Sequence, residues 1–266
     1  MRNISEDWKR INGMKKIKEF GFSIAIFVFV IGIFVSSIGC GGNGRQVLEG
    51  ENPTSTDTST LTYTNTNTNT NTNTNTNTGT NTNTGTNTYT ETPAQVLNDA
   101  WTNMDSNSPS QAITQFQQVL SRSDSTASQI QDAHNGLGWA RAKSNGINSG
   151  MSDFQQSQSL DESKLGYAAG LVQQAQPSSI RQAINILEGM GFNDTNKTIT
   201  LTHPSIAFTN PEIHALLAYA YFWRADTGDS DKAKAQILAA RAQDSSTTSS
   251  VGQIYNALVK LGLSGI

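Results

Sequence analysis

Three histidines are the side chains of this chain that could most readily serve metal binding or acid–base catalysis. His134 and His214 each lie three residues before a leucine of a helical segment, so they occupy equivalent positions in the pattern. Neither has a Glu or Cys at ligand spacing, and we interpret both as half-buried packing residues rather than as a metal pair. His203 precedes a proline in a loop and carries no further signal.

A second candidate for catalysis is the triplet Asp226-Thr227-Gly228, which aspartic proteases share. The sequence has no second copy of it and no flanking apolar strands, so it predicts a turn between two helices. Asp226, Asp229 and Asp231 lack the spacing and the closing Glu of a calcium-binding EF-hand. The sequence also has no Gly-rich phosphate loop after a strand and no local Ser-His-Asp signature. We therefore expect no enzyme, no metal and no cofactor.

Charge and cysteine content exclude two further classes of protein. The 18 basic and 21 acidic residues are nearly balanced and form no basic stripe, so we expect no nucleic-acid partner. The single cysteine, Cys40, excludes a disulfide framework and a thiolate metal cluster.

The region before Cys40 has the order of a secretory signal. The charged stretch 14–18 precedes the apolar run 20–38, which predicts a signal peptide over residues 1–39, with Met14 as an alternative start. An uncleaved membrane anchor and ordinary signal cleavage are the alternatives. In each case the rest of the chain is exported.

The residues next to Cys40 resemble the bacterial lipobox. Ser36, Ser37, Ile38 and Gly39 precede the cysteine, although Ser37 stands where that family usually has an aliphatic residue. The resemblance implies that Cys40 is lipid-modified, becomes the mature N-terminus and anchors the protein in a membrane. Gly41 replaces the usual Asp of inner-membrane retention, which favours the outer membrane.

Residues 40–93 predict a disordered tether. From Asn65 the sequence is almost strictly alternating Asn and Thr, with very few apolar side chains. Such a segment buries too little apolar surface to offset its ordering entropy. A Thr-rich stalk can also carry sugars on its hydroxyls, and that alternative stays open.

Residues 94–266 change to Ala, Gln, Leu and Ser with helical spacing, and they contain four imperfect copies of a pattern. The first halves carry Leu97, Leu137-Gly138, Leu165-Gly166 and Leu217-Ala218 with Tyr221. The second halves carry Ala112 with Phe116, Gly150 with Phe154, Ala183 with Leu187, and Ala233 with Ile237. This resembles the tetratricopeptide repeat (TPR), whose signature includes Leu-Gly-x2-Tyr and later Ala-x3-Phe. The resemblance implies an all-α, superhelical fold of helix pairs.

Two further segments complete this region. Residues 251–263 place Ile254, Tyr255, Leu258, Val259 and Leu261 on one side, which predicts a capping helix. Residues 191–210 separate the third and fourth copies, and Lys197 to His203 alternates at period 2. We expect a short strand or an extended loop there, serving either as a binding loop or as a tolerated insertion.

Aromatic residues suggest where a partner binds. Trp139, Tyr167 and Tyr219 each follow a repeat leucine by two residues, a position that in TPR proteins tends to line the concave groove. Phe222 and Trp223 lie one turn further along. An aromatic strip of this kind can hold a peptide or an extended polymer, and ordinary interhelix packing is the alternative.

Together these patterns predict a membrane-anchored lipoprotein of the cell envelope. Its TPR-like domain would be a non-catalytic scaffold for an envelope protein or peptide partner. One alternative is a glycan-binding or polymer-binding protein that uses the aromatic groove. The other is an accessory subunit of an envelope enzyme, or an enzyme whose site lies in the 191–210 loop.

Overall fold

The computed structural model describes residues 91–266, so the predicted signal peptide, Cys40 and nearly all of the predicted tether lie outside the described residues. Within residues 91–266 the regular structure comprises nine α-helices and one 3-10 helix, with no strand. The α-helices are α1 (Pro93–Asp105), α2 (Pro109–Ser121), α3 (Ala127–Asn145), α4 (Met151–Gln156), α5 (Asp161–Gln173), α6 (Pro177–Gly189), α7 (Asn210–Arg224), α8 (Asp229–Gln243) and α9 (Ser250–Lys260). The 3-10 helix Ile147–Gly150 leads directly into α4. The all-α prediction is confirmed for this part of the chain.

Several helices begin where the sequence supplies capping chemistry. Thr92, Thr126 and Thr209 each precede a helix and form a capping box with the residue three positions later. The side chains at the two positions satisfy backbone donors that a helix start leaves unpaired. Proline stands in the first turn of α1, α2, α6 and α7, where its missing N–H costs nothing.

The helices pack as consecutive pairs. Helix α1 packs on α2, α3 on the 3-10 helix and α4, α5 on α6, and α7 on α8. Each odd-numbered helix also packs on the next odd-numbered one, from α1 through α3, α5 and α7 to α9. The odd-numbered helices therefore form one continuous layer. Among the described residues, no helix is long and apolar enough to cross a membrane.

The small-x3-large pairs of the sequence lie where neighbouring helices contact each other. All four small residues and all four large ones are buried. The Phe154 ring lies where a side chain on Gly138 of α3 or on Gly166 of α5 would overlap it. Gly150 stands where a Cβ would collide with the backbone carbonyl of Gly138. Glycine is needed at these positions because the helices approach more closely than any side chain would allow.

Three surface assignments from the sequence are wrong. In the sequence of α8, helical spacing places Leu238 on the buried face with Ala233, Ile237 and Ala240, and it places Gln236 in water. In the structure Leu238 is 47% exposed and Gln236 is 2% exposed. Gln236 is buried because its amide is matched by hydrogen-bond partners on α7 and on the loop before it. In α9, Ile254 and Leu258 are buried as predicted, whereas Val259 is 47% exposed. Hydrophobic periodicity alone does not detect a polar side chain that is buried with its partners.

Candidate functional site

The segment between α6 and α7, residues 190–209, is the longest irregular part of the described chain. Residues 197–203 form no strand, so of the two sequence expectations it is the extended loop that is observed. Their side chains alternate as predicted: Ile199, Leu201 and His203 turn toward the helices, and Thr198, Thr200 and Thr202 are exposed. Period-2 alternation is the geometry of an extended peptide lying on a surface.

The loop is tied at its base to the start of α7. The side chain of Asn210 accepts from the N–H of Ile199 at 2.8 Å and donates to the carbonyl of Ile199 at 3.2 Å. Residues 199–210 therefore form a closed excursion whose two ends are held together. Loops of this kind, with their ends close together, are frequently functional.

His214 and Gln236 hold the first part of the loop. His214 is fully buried, with Nε2 2.9 Å from the Lys197 carbonyl oxygen and Nδ1 2.6 Å from Gln236 Oε1. Gln236 Nε2 donates to the Phe192 carbonyl at 2.7 Å. His134, at the equivalent position of the second copy, is partly buried with Nδ1 3.4 Å from Asp153 Oδ1. The packing interpretation thus describes His134, whereas His214 is a polar anchor of the loop.

His203, at the far end of the loop, lies among side chains from three odd-numbered helices. Its ring stacks on Trp101 of α1, with ring centroids 3.5 Å apart and the planes 7° from parallel. Its Nδ1 lies 2.7 Å from Glu162 Oε2 of α5, and its Nε2 lies 3.6 Å from Asp132 Oδ1 of α3. Its backbone N–H also donates to Glu162 Oε1 at 2.8 Å. We call Trp101, Asp132, Glu162 and His203 the His203 cluster.

The two carboxylates of the His203 cluster are affected differently by their surroundings. Burial acts to raise the pKa of Glu162, but hydrogen bonds from the side chain and backbone of His203 outweigh it, and the pKa is lowered. Burial raises the pKa of Asp132, and the charge of His203 only partly opposes this effect. Glu162 is therefore the stronger ionic partner of the histidine, in agreement with its shorter distance.

This arrangement can hold a cation. Only Nδ1 of His203 is engaged in a hydrogen-bonded contact, with Glu162, whereas Nε2 lies 3.6 Å from Asp132 Oδ1 without a hydrogen bond. Within residues 91–266 no group of three or more His, Cys, Asp and Glu side chains is arranged to hold a metal ion. A cation between two carboxylates, stacked on an indole ring, is the recognition chemistry that the cluster offers.

Two of the five predicted partner-binding aromatics are buried. Trp139 is 9% exposed and packs edge-on against Phe154 at 5.0 Å, with Phe208 of the loop 6.2 Å from it. Tyr219 is 8% exposed on α7, with its ring 6.0 Å from that of Trp223. For these two residues the structure agrees with the packing alternative.

The other three predicted aromatics are only partly buried. Phe222 and Trp223 lie together on α7, with their ring planes 89° apart, and Tyr167 lies on α5. Trp223 Nε1 is buried without a hydrogen-bond partner. These residues remain available for contact with a partner, and Cys40, the predicted lipidation site, lies outside the described residues.

Sequence reasoning missed the four residues that matter most to the loop: His203, Glu162, Trp101 and Phe208. One signal was present, because period-2 alternation from Ile199 places His203 on the same side as two apolar residues. A second signal was the repeat register, since Glu162 stands three residues before Leu165, where the second and fourth copies have His134 and His214. Neither signal shows that His203 contacts Trp101 on α1.

Comparison with known proteins yields no relatives: no protein-family model, no curated protein and no solved structure matches this chain.

Proposed function

We propose that this chain is an exported bacterial lipoprotein, anchored through Cys40, whose TPR-like superhelical domain is a non-catalytic scaffold for protein assembly in the cell envelope. Its partner is an envelope protein or peptide, bound on the face formed by the odd-numbered helices. Residues 40–93 serve as the tether between the lipid and the domain.

The observation that carries the proposal is the order of helix contacts. Each odd-numbered helix packs on the next one, while each even-numbered helix packs between its own partner and the following odd-numbered helix. Stacked pairs of this kind create an elongated surface, and such surfaces are used to bind other proteins. The Phe154 ring packs against Gly138 and Gly166. This supports a TPR-like arrangement, because that motif also packs a large side chain against small residues.

The glycan alternative receives little support from the aromatic geometry. A sugar-binding platform needs exposed rings in a common plane. The rings of Tyr219 and Trp223 are tilted by 55°, and those of Phe222 and Trp223 by 89°. A peptide with side chains of different shapes fits such a surface better than a flat polymer does.

The enzyme alternative is favoured by one observation, the shifted pKa values of Asp132 and Glu162 around His203. The burial of His203 argues against it, because its side chain is 18% exposed, stacks on Trp101 and places Nδ1 2.7 Å from Glu162 Oε2. Carbethoxylation by diethyl pyrocarbonate separates the two ideas, since an active-site imidazole needs an accessible, unprotonated nitrogen. We expect His203 to react only when the protein is unfolded. Rapid reaction in the folded protein would favour the enzyme.

Site-specific photo-crosslinking in intact envelopes tests the scaffold function. A photoreactive phenylalanine analogue at position 223 should give a discrete adduct with a partner protein. The matched control is position 238, where Leu238 is 47% exposed on an even-numbered helix, and it should give none. No adduct at position 223, or the same adduct at both positions, would contradict the proposal.

The lipid anchor has its own test. Cys40→Ala should move the protein from the membrane to the soluble fraction or leave an unprocessed precursor. Intact mass spectrometry and detergent partitioning measure both results. Equal masses and equal partitioning of the native and variant proteins would refute lipidation at Cys40.

A further inference from the structure

We propose that the segment Ile199–Phe208 is an internal ligand on the face formed by the odd-numbered helices, here called the groove, and that the external partner is a peptide of the same chemistry that can adopt the same turn. That peptide carries a cationic side chain and, five residues later, an aromatic ring. The inference rests on the proposed scaffold function and specifies which ligand the scaffold binds.

The path of the segment is the first argument. Its contacts run to Trp101 on α1, Asp132 and Trp139 on α3, and Glu162 on α5. These helices belong to the layer of odd-numbered helices. Residues 199–203 turn alternate side chains toward that layer, and a turn closed by the Ile206 N–H and the His203 carbonyl then brings Ile206 and Phe208 against it.

The first of two pockets is acidic. The His203 ring enters it, and its side chain is 18% exposed, with Glu162 6% exposed beside it. The pocket offers two carboxylates and the face of an indole ring, and each of these favours a cation. A lysine, an arginine or a protonated histidine of another chain meets the same requirements.

The second pocket is aromatic. Phe208 packs near Trp139, and Ile206, between Phe208 and the acidic pocket, is 4% exposed. Trp139 also contacts Phe154 of the core, so this pocket is fixed by the helix stack rather than by the loop. The turn between His203 and Phe208 sets the spacing of cation and ring in the partner.

The contact between the segment and the groove leaves some polar atoms unpaired. Ser205 Oγ and Trp139 Nε1 are buried there without a hydrogen-bond partner. A buried polar atom with no partner costs free energy, because its lost hydrogen bonds to water are not replaced. A partner that supplies the missing donor or acceptor would gain that energy and so displace the segment.

The two hydrogen bonds between Ile199 and Asn210 explain how the segment stays bound although some of its polar atoms are unpaired. The tie keeps both ends of the excursion beside the groove. Effective concentrations of short tethered segments are in the millimolar range, so a weak intramolecular ligand can exclude weak external ones. Only a partner with better contacts or a high local concentration then gains access.

The test uses the full chain and a fluorescent synthetic peptide with the sequence of residues 199–209. The double variant His203→Ala/Phe208→Ala removes both anchors of the internal segment. We expect it to bind the peptide at least about tenfold more tightly than the native chain, because the groove is then unoccupied. The control Thr200→Ala/Thr202→Ala changes only exposed positions and should bind the peptide as the native chain does.

Two further changes connect binding to the pockets. Adding Glu162→Gln to the double variant should remove most of the gain, and so should Ala in place of the histidine or the phenylalanine of the peptide. Equal affinity for the native chain and the double variant would overturn the inference, as would no measurable binding to either.

A second measurement works on the native chain, so it does not depend on the folding of a variant. Hydrogen exchange should show that excess peptide deprotects the amides of Ile199 and His203, which donate to Asn210 and Glu162. Unchanged protection at saturating peptide would overturn the inference. The photo-crosslink at position 223 is a separate measurement. An adduct at position 223 together with unchanged protection of the loop amides would refute the internal ligand and leave the scaffold function standing.

Discussion

The helix stack and the loop before α7 differ in how they contact the rest of the molecule. The stack is joined by apolar contacts in which a ring fills the space left by glycine or alanine, as Phe154 does between α3 and α5. The loop also buries an apolar side chain, Ile206, but adds polar contacts to distant elements, among them the short contact of His203 with Glu162. We propose that the stack provides most of the stability and that the loop is a replaceable occupant.

Removing a ring from the stack should have the largest effect. Phe154→Ala leaves a cavity at a fully buried position and should cost about 3–5 kcal/mol of unfolding free energy. Urea denaturation followed by circular dichroism measures the change. The control Phe222→Ala, at a partly exposed position on α7, should cost clearly less. Equal costs would show that Phe154 does not join the helices.

Overfilling the stack should have the next largest effect. Ala233 is fully buried, as the small-x3-large pattern predicts, and Ala233→Leu should cost about 1–3 kcal/mol through overpacking. Leu238→Ala on the same helix removes an exposed side chain and should change the stability by less than about 0.5 kcal/mol. If Ala233→Leu leaves the melting temperature unchanged, Ala233 does not lie at a helix contact and the repeat alignment is wrong.

Removing the anchor of the loop should have a smaller and local effect. His203→Ala removes the ring that stacks on Trp101 and the side-chain partner of the buried Glu162, and it should cost about 1–3 kcal/mol. The loss should appear as faster hydrogen exchange in residues 197–209, with little change in α7 and α8. Thr202→Ala, one position earlier and exposed, serves as control. Uniform loss of protection would mean that loop and stack unfold together.

The pH dependence should give the smallest effect. The pKa of Glu162 is lowered from 4.5, so its contribution to stability is complete above that value and is lost as the pH falls through the lowered value. The pKa of Asp132 is raised from 3.8, so its contribution has the opposite sign and favours the folded state at low pH. Acid melts of Glu162→Gln and Asp132→Asn should therefore deviate from the native curve in opposite directions. Deviations of the same sign would contradict the opposite pKa shifts of Glu162 and Asp132.

The sequence predicted the stack far better than it predicted the loop, and the reason is the distance between partners along the chain. Ala112 and Phe116 lie one helical turn apart, so their shared burial is visible as periodicity. His203 meets Trp101, which is remote in sequence, and no local pattern encodes that contact. Gln236 was assigned to water because its partners, His214 and the Phe192 carbonyl, also come from other elements.

Native-state hydrogen exchange of the unmodified protein tests the central claim most directly. Amides at Ile199 and His203 should exchange through a local opening that is nearly independent of denaturant, well below the free energy of global unfolding. Amides inside α3, α5 and α7 should exchange only with global unfolding. If the two loop amides also follow global unfolding, the loop is an integral part of the core, and the distinction between stack and occupant is wrong.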